Sequence, residues 1–180
     1  MTGLGALIKR NCKLFFRDKG MFFTSLITPI ILLVLYATFL AKVYKESFAS
    51  AMPAGFTVEE ALINGTVGGQ LVSSLLAVCC VTVAFCSNLL MVQDKTSGAR
   101  RDLTMSPVKR STLAFSYFAS SALSTLLICL VALGACLVYL AVTGWYLTVA
   151  DVLLLCLDVF VLVLFGTALS SCIVFPLSTQ

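Results

Sequence analysis

The sequence predicts an all-α integral membrane protein with four transmembrane helices. Of its 180 residues, 60% are hydrophobic and 11% are charged, whereas soluble domains are about 45–50% apolar and about 25% charged. The apolar residues gather in four runs, each with the ~20 residues that a helix needs to cross a ~30 Å hydrocarbon core. These runs do not alternate between apolar and polar residues, which excludes a transmembrane β-barrel.

The first 20 residues predict an amphipathic helix at the membrane surface. One helical face is apolar and carries Leu4, Ile8, Cys12 and Phe15. Another face is basic and carries Lys9, Lys13 and Arg17. This pattern is typical of a helix lying in the cytoplasmic interface of a membrane. The alternative is an unstructured basic tail that only sets the topology.

The four apolar runs define the predicted spans and their connections. The spans cover residues 21–41, 67–92, 111–142 and 152–175. They are joined by an external loop at 42–66, a cytoplasmic loop at 93–110 and an external turn at 143–151. Pro29 lies inside the first span, where we expect it to shape the helix without ending it.

Basic residues predict the orientation of the chain. Ten of the twelve Lys and Arg residues lie in segments 1–20 and 93–112. Basic residues in short loops resist translocation across the membrane. We therefore expect a multi-pass protein of the cell membrane whose N-terminus and 93–112 segment are cytoplasmic.

The composition offers little material for catalysis or metal binding. The chain has no His and no C-x-x-C pair, and seven of its eight Cys residues lie in the apolar runs. There they serve as small hydrophobic residues, so we expect no catalytic, cofactor or metal site. We also expect no nucleic-acid partner, because the surroundings of this chain are the lipid bilayer.

Asp158 is the acid that the sequence places deepest in a span. A carboxylate at such a depth must face protein or water, pair with a base, or take up a proton. Lys42 and Lys45 belong to the same leaflet and are the candidate partners. A role in proton coupling is the alternative to a structural one.

Hydroxyl residues recur at every fourth position in the third span, at Ser116, Ser120 and Ser124. Small residues let transmembrane helices approach closely, and their hydroxyls bond across helices. We expect helix packing within one bundle, and the alternatives are a seam between subunits or a weakly polar substrate path.

The stretch QDKTSGARRDLTMSPVKR, Gln93 to Arg110, concentrates charge between the second and third spans. Gly98 predicts a break, and Ser106 with Pro107 predicts the start of the next helix. A short helix over Ala99–Met105 would be surrounded by the charges of Arg100, Arg101 and Asp102. The residues leave two interpretations open: a knob that docks on another protein, and a solvated loop rich in positive charge.

This loop resembles that of the permeases of type-2 ABC transporters, which are exporters. Asp94 stands near the family acid, Gly98 matches the family Gly, Leu103 the Leu, and Ser106-Pro107 the Ser-Pro. The chain departs from the family at Ala99, where the usual residue is Thr, and at Arg101, where it is Glu. The resemblance extends over the whole order of predicted elements.

The resemblance implies a cytoplasmic elbow helix at the N-terminus and a coupling helix between the second and third spans. The coupling segment would contact a separate ATPase subunit. The contact residues implied are Asp94, Gly98, Arg100, Arg101, Asp102, Leu103, Ser106 and Pro107. No G-x-x-x-x-G-K-[ST] motif occurs in the chain, so ATP would be bound by that partner and this chain would not be an enzyme.

The resemblance further implies a second permease copy or a homologous permease, and a drug-, lipid- or peptide-like substrate moved out of the cell. Permeases of the family usually have six spans, so we expect the last two to be missing from this chain. The alternative functions are an ion-coupled secondary transporter and a non-transporting membrane subunit.

Overall fold

Long α-helices build the described part of the chain. The computed structural model describes residues 2–51, 60–99, 103, 105, 109–143, 145 and 147–179. The helices, in chain order, are α1 (Thr2–Arg17), α2 (Lys19–Leu35), α3 (Ala41–Ala51), α4 (Glu60–Thr96), α5 (Arg110–Thr143) and α6 (Val149–Thr179). A π-helical turn, Tyr36–Leu40, joins α2 to α3.

Four stretches of helix are long and apolar enough to cross a membrane. They are Lys19–Phe48, Ile63–Thr96, Ser111–Val142 and Val149–Val174. Large apolar side chains cover their outer surfaces, as at Ile31, Val131 and Val161, each more than half exposed. Such a surface is compatible with hydrocarbon and not with water. The prediction of an all-α membrane protein with four spans is therefore confirmed.

Helix α1 buries the apolar face that the sequence predicts. Phe15 is buried and packs with Val83 of α4 and Ile128 of α5. Lys9, Lys13 and Arg17 are exposed on the opposite side. The chain then turns at Asp18, whose carboxylate accepts hydrogen bonds from the backbone N–H groups of Gly20 and Met21 at 2.9 and 3.3 Å. Asp18 is thus the N-cap that starts α2.

Helix α2 stays α-helical through Pro29. The backbone hydrogen bonds change from the α to the π pattern only later, at Tyr36–Leu40. Tyr36 opens this turn and is buried. Its hydroxyl donates a hydrogen bond of 2.8 Å to the carbonyl oxygen of Val67 in α4, and its ring meets that of Tyr139 in α5 edge to face. These contacts hold the first span against the start of the second.

Helix α4 is the centre of the bundle and packs against α2, α5 and α6. Cys79, Cys80, Cys129 and Cys136 are fully buried in this core, and all eight Cys residues of the chain are free thiols. Helix α6 approaches α4 closely at Gly166, where an added Cβ would lie 3.2 Å from the carbonyl oxygen of Cys80. The small residues of these spans therefore serve packing.

Candidate functional site: the Asp94 junction

Gly98 ends the second span. The N–H groups of Ser97 and Gly98 bond back to the carbonyl oxygens of Gln93 and Lys95 at 3.0 and 3.2 Å. Gly98 then adopts a φ of +80°, a conformation in which a Cβ is strained. A glycine just beyond a helix end is a common terminator. The glycine that the sequence singled out is thus the point where the chain leaves α4.

Asp94, one turn before this exit, is bonded to two other helices. Arg10 of α1 donates to both of its carboxylate oxygens, from Nη1 to Oδ2 at 3.0 Å and from Nη2 to Oδ1 at 3.3 Å. The Tyr117 hydroxyl of α5 donates to Oδ2 at 2.6 Å. The two parallel hydrogen bonds from the Arg10 guanidinium to one carboxylate give geometric specificity as well as energy. The carboxylate therefore ties the end of α4 to both α1 and α5.

The ion pair at Asp94 is partly withdrawn from water. The Asp94 side chain is 9% exposed and that of Arg10 is 33% exposed. Burial by itself lowers the pKa of Arg10, but the hydrogen bond and the charge of Asp94 outweigh it and raise the pKa above its ordinary value. Arg10 is therefore a permanent cation, and the pair is neutral as a unit, which permits its burial.

A second polar tie lies beside the first. The Gln93 side-chain amide donates to Oδ2 of Asp18 at 3.2 Å, while Oδ1 of Asp18 caps α2. The bond from Gln93 and the bond from the Met21 backbone lower the pKa of Asp18. We call the five residues Arg10, Asp18, Gln93, Asp94 and Tyr117 the Asp94 junction. It joins α1, the α1–α2 corner, α4 and α5.

The loop after Gly98 folds back onto the bundle at Leu103. Leu103 is half-buried and packs on a small core of Met91, Leu113, Tyr117 and Val174. Met105 is 77% exposed, so this charged loop also carries an exposed apolar side chain. Arg100, Arg101, Asp102, Ser106 and Pro107 lie outside the described residues. Contact of any of these loop residues with an ATPase stays a prediction.

A buried polar cluster lies one to two turns deeper. Asn88 of α4 donates to the hydroxyls of Ser170 and Ser171 in α6 at 2.8 and 3.3 Å, and it accepts from Ser121 of α5 at 2.7 Å. The hydroxyl stripe of the third span is buried too, and Ser124 donates to the sulfur of Cys12 in α1 at 3.8 Å. These hydroxyls pack helices within one bundle.

Asp158 lies on an exposed part of α6. It borders an open groove of about 420 Å³ between α4, α5 and α6. Among the described residues the ion pair is that of Arg10 and Asp94, so neither Lys42 nor Lys45 neutralises Asp158. No group of three or more potential metal ligands comes together in the described ranges.

Sequence reasoning missed three of the side chains that organise this region. Arg10 does not lie on the helical face of α1 that carries the exposed basic residues Lys9, Lys13 and Arg17. Its position on a different face is the sequence feature that distinguishes it from them. Tyr117 and Asn88 are polar groups within apolar runs, which in a membrane need partners. The partners themselves depend on tertiary packing and could not be named from spacing.

Comparison with known proteins adds the family. The family model described as ABC-2 type transporter matches residues 2–179. Neither a search of curated proteins nor a search of solved structures returned a match.

Proposed function

The chain belongs to the ABC-2 type transporter family, and on this premise we propose that it is the permease subunit of an exporter of drug-, lipid- or peptide-like molecules. Family membership and four apolar helices make it a multi-pass membrane subunit of an ABC transporter. The outward direction and the class of substrate are the proposal.

A separate ATPase subunit would supply the energy. The sequence has no P-loop motif, and a P-loop is what cradles the phosphates of ATP in such ATPases. ATP would thus bind to the partner and this chain would need no cofactor of its own. A second permease, identical or homologous, would complete the transmembrane path.

The Asp94 junction is the observation that carries the mechanism. A loop can transmit a push only if its ends are fixed to the elements that must move. Here α4 is bonded through Asp94 to Arg10 and Tyr117 immediately before the loop begins. Leu103 anchors the loop again on a core shared by α4, α5 and α6. Force applied to residues 98–107 would therefore reach three spans and α1 together.

The charge distribution supports a cytoplasmic position for this loop and for the N-terminus. Arg10 of α1 and Asp94 of α4 are in contact, so both lie on the same side of the bundle. Ten of the twelve basic residues fall in segments 1–20 and 93–112, and basic loops stay cytoplasmic. An ATPase in the cytoplasm would meet this face.

Affinity purification of the tagged full chain from membranes of its own host tests the proposal. We expect an ATPase subunit to co-purify, with ATP hydrolysis in the eluate. The paired substitution Arg100→Ala with Arg101→Ala should remove that activity, because it removes the basic charge offered by the loop. The matched control removes two basic residues on the opposite side, Lys42→Ala with Lys45→Ala, and should retain the ATPase.

Two results from the same preparations would contradict the proposal. If both variants are purified intact and the ATPase activity follows neither, the loop is not the docking element. If wild-type chain carries no ATPase under conditions that keep permease assemblies together, the role as an ATP-driven subunit is wrong.

A further inference from the structure

The groove beside Asp158 is lined by apolar residues and two acids. We call it the Asp158 groove; it is lined by Gly69, Val72, Leu140, Leu147, Asp151, Leu154, Leu155 and Asp158. Its volume of about 420 Å³ lies within the range of small-molecule sites, roughly 300–1,000 Å³. Helices α4, α5 and α6 each contribute to it, so its shape is set by the packing of the bundle.

Asp158 lies within the apolar thickness of the protein. It follows Val149, the start of the fourth span, by nine residues, or about 13 Å along a helix. The side chains around it on α6, such as Leu154 and Leu157, are apolar and exposed. A carboxylate in hydrocarbon costs several kcal/mol unless a positive charge or water compensates it or it takes up a proton.

The two acids of the groove differ in what they already bind. Asp151 accepts a hydrogen bond of 2.8 Å from the backbone N–H of Thr148 and caps the start of α6. Asp158 is in no ion pair with a described residue. Both acids line the groove, and Asp158 is the one that lies farther into the span.

We propose that the Asp158 groove binds an organic cation with an apolar body, whose charge pairs with Asp158 and whose body packs on Leu147, Leu154 and Leu155. Charge complementarity selects a cation. A hard metal ion is a poor occupant, because Ca²⁺ and Mg²⁺ require several oxygen ligands and the remaining walls are mostly hydrocarbon. The open side of the groove lets the ligand enter from the bilayer.

This inference rests on the proposed function only in treating the ligand as a cargo of the transporter. Binding itself requires neither ATP nor the ATPase. A binding measurement on the chain alone therefore fails or succeeds separately from the co-purification experiment.

Gly69 provides a steric test of the groove. A Cβ at Gly69 would meet no atom within 4 Å, so Gly69→Leu places a side chain into the groove without a clash at its base. Gly134 of α5 is equally unobstructed and does not line the groove. Gly134→Leu is therefore a matched control for the added bulk.

The experiment uses the purified full chain in phosphatidylcholine nanodiscs and radiolabelled tetraphenylphosphonium, a compact organic cation. Tetraphenylborate, an anion of the same shape, is the control for partition into lipid. We expect saturable binding of the cation alone. Asp158→Asn and Gly69→Leu should each weaken it at least tenfold, and Gly134→Leu should leave it unchanged.

Three outcomes overturn the inference. The first is an absence of saturable cation binding by wild-type chain. The second is saturable binding that both Asp158→Asn and Gly69→Leu leave unchanged, which places the ligand elsewhere. The third is a loss of dimer in both variants, seen by light scattering, together with unchanged cation binding, which makes a second copy the occupant of the groove.

Discussion

The Asp94 junction yields a stability prediction that can be worked from its geometry. Asp94→Asn keeps the shape of the side chain and removes its charge. The guanidinium of Arg10, at 3.0 and 3.3 Å in the native protein, then loses its counter-charge. Breaking a buried pair costs about 3–5 kcal/mol, and an exposed pair is worth at most about 1 kcal/mol. Because Arg10 is 33% exposed, we expect a loss of about 2 kcal/mol.

Tyr117→Phe removes a single hydrogen bond from the same carboxylate. The hydroxyl lies 2.6 Å from Oδ2, and a bond to a charged group contributes about 1.5–3 kcal/mol. The ring stays packed, since Tyr117 is buried against Met91 and Leu113. We expect a loss of about 1.5 kcal/mol. The double variant should lose less than the two single losses added together, because both act on the same carboxylate.

Titration of the purified chain with SDS in mixed micelles, followed by far-ultraviolet circular dichroism, measures these losses of unfolding free energy. Glu46→Gln is the matched control, because Glu46 is an exposed acid on α3 and its loss should change little. Independent sites add to within about 0.3–0.5 kcal/mol. Additive losses at Asp94 and Tyr117 would therefore refute the idea that one carboxylate joins α1, α4 and α5.

Three further substitutions test the packing around the site, each with the same SDS titration. Gly98→Ala should cost about 1–2 kcal/mol because φ is +80°; a gain as large as that of Gly134→Ala would contradict the strained turn. Asn88→Leu should cost about 1–2 kcal/mol by leaving Ser121 and Ser170 without their partner; Ser74→Ala, at an exposed hydroxyl, is its control. Gly166→Leu should cost about 1–3 kcal/mol by forcing α6 away from Cys80, and equal stability to Gly134→Leu would show that the helices are not in close contact there.

The number of spans and their helical class could be predicted because hydropathy alone determines them. A run of ~20 apolar residues has one stable form in a bilayer, a helix that satisfies its own backbone. The apolar face of α1 could also be predicted from the sequence, since Phe15 lies on the predicted apolar stripe and is buried. These features depend on residues close together in the chain.

The contacts of the junction could not be predicted, because they join residues far apart in the chain. Asp94 stands 84 positions from Arg10 and 23 from Tyr117. Sequence resemblance placed Asp94 among the residues that contact an ATPase, which stays a prediction, and gave no sign that its side chain is buried against α1 and α5. The approximate positions of the spans could be read from the apolar runs, whereas α3 lies where a loop was predicted. Which helices touch, and at which residues, depends on the folded chain.

The loop residues thus divide into two groups with different expected effects. Asp94, Gly98 and Leu103 hold the loop to the bundle, through an ion pair, a helix end and an apolar contact. Changes there should lower both stability and the ATPase bound, because a loosened loop presents its surface poorly. Arg100 and Arg101 carry the charge of the loop between two of these anchors. Removal of both charges should lower the ATPase bound while leaving the unfolding free energy nearly unchanged, because charges that face water, as a docking surface requires, contribute little to stability.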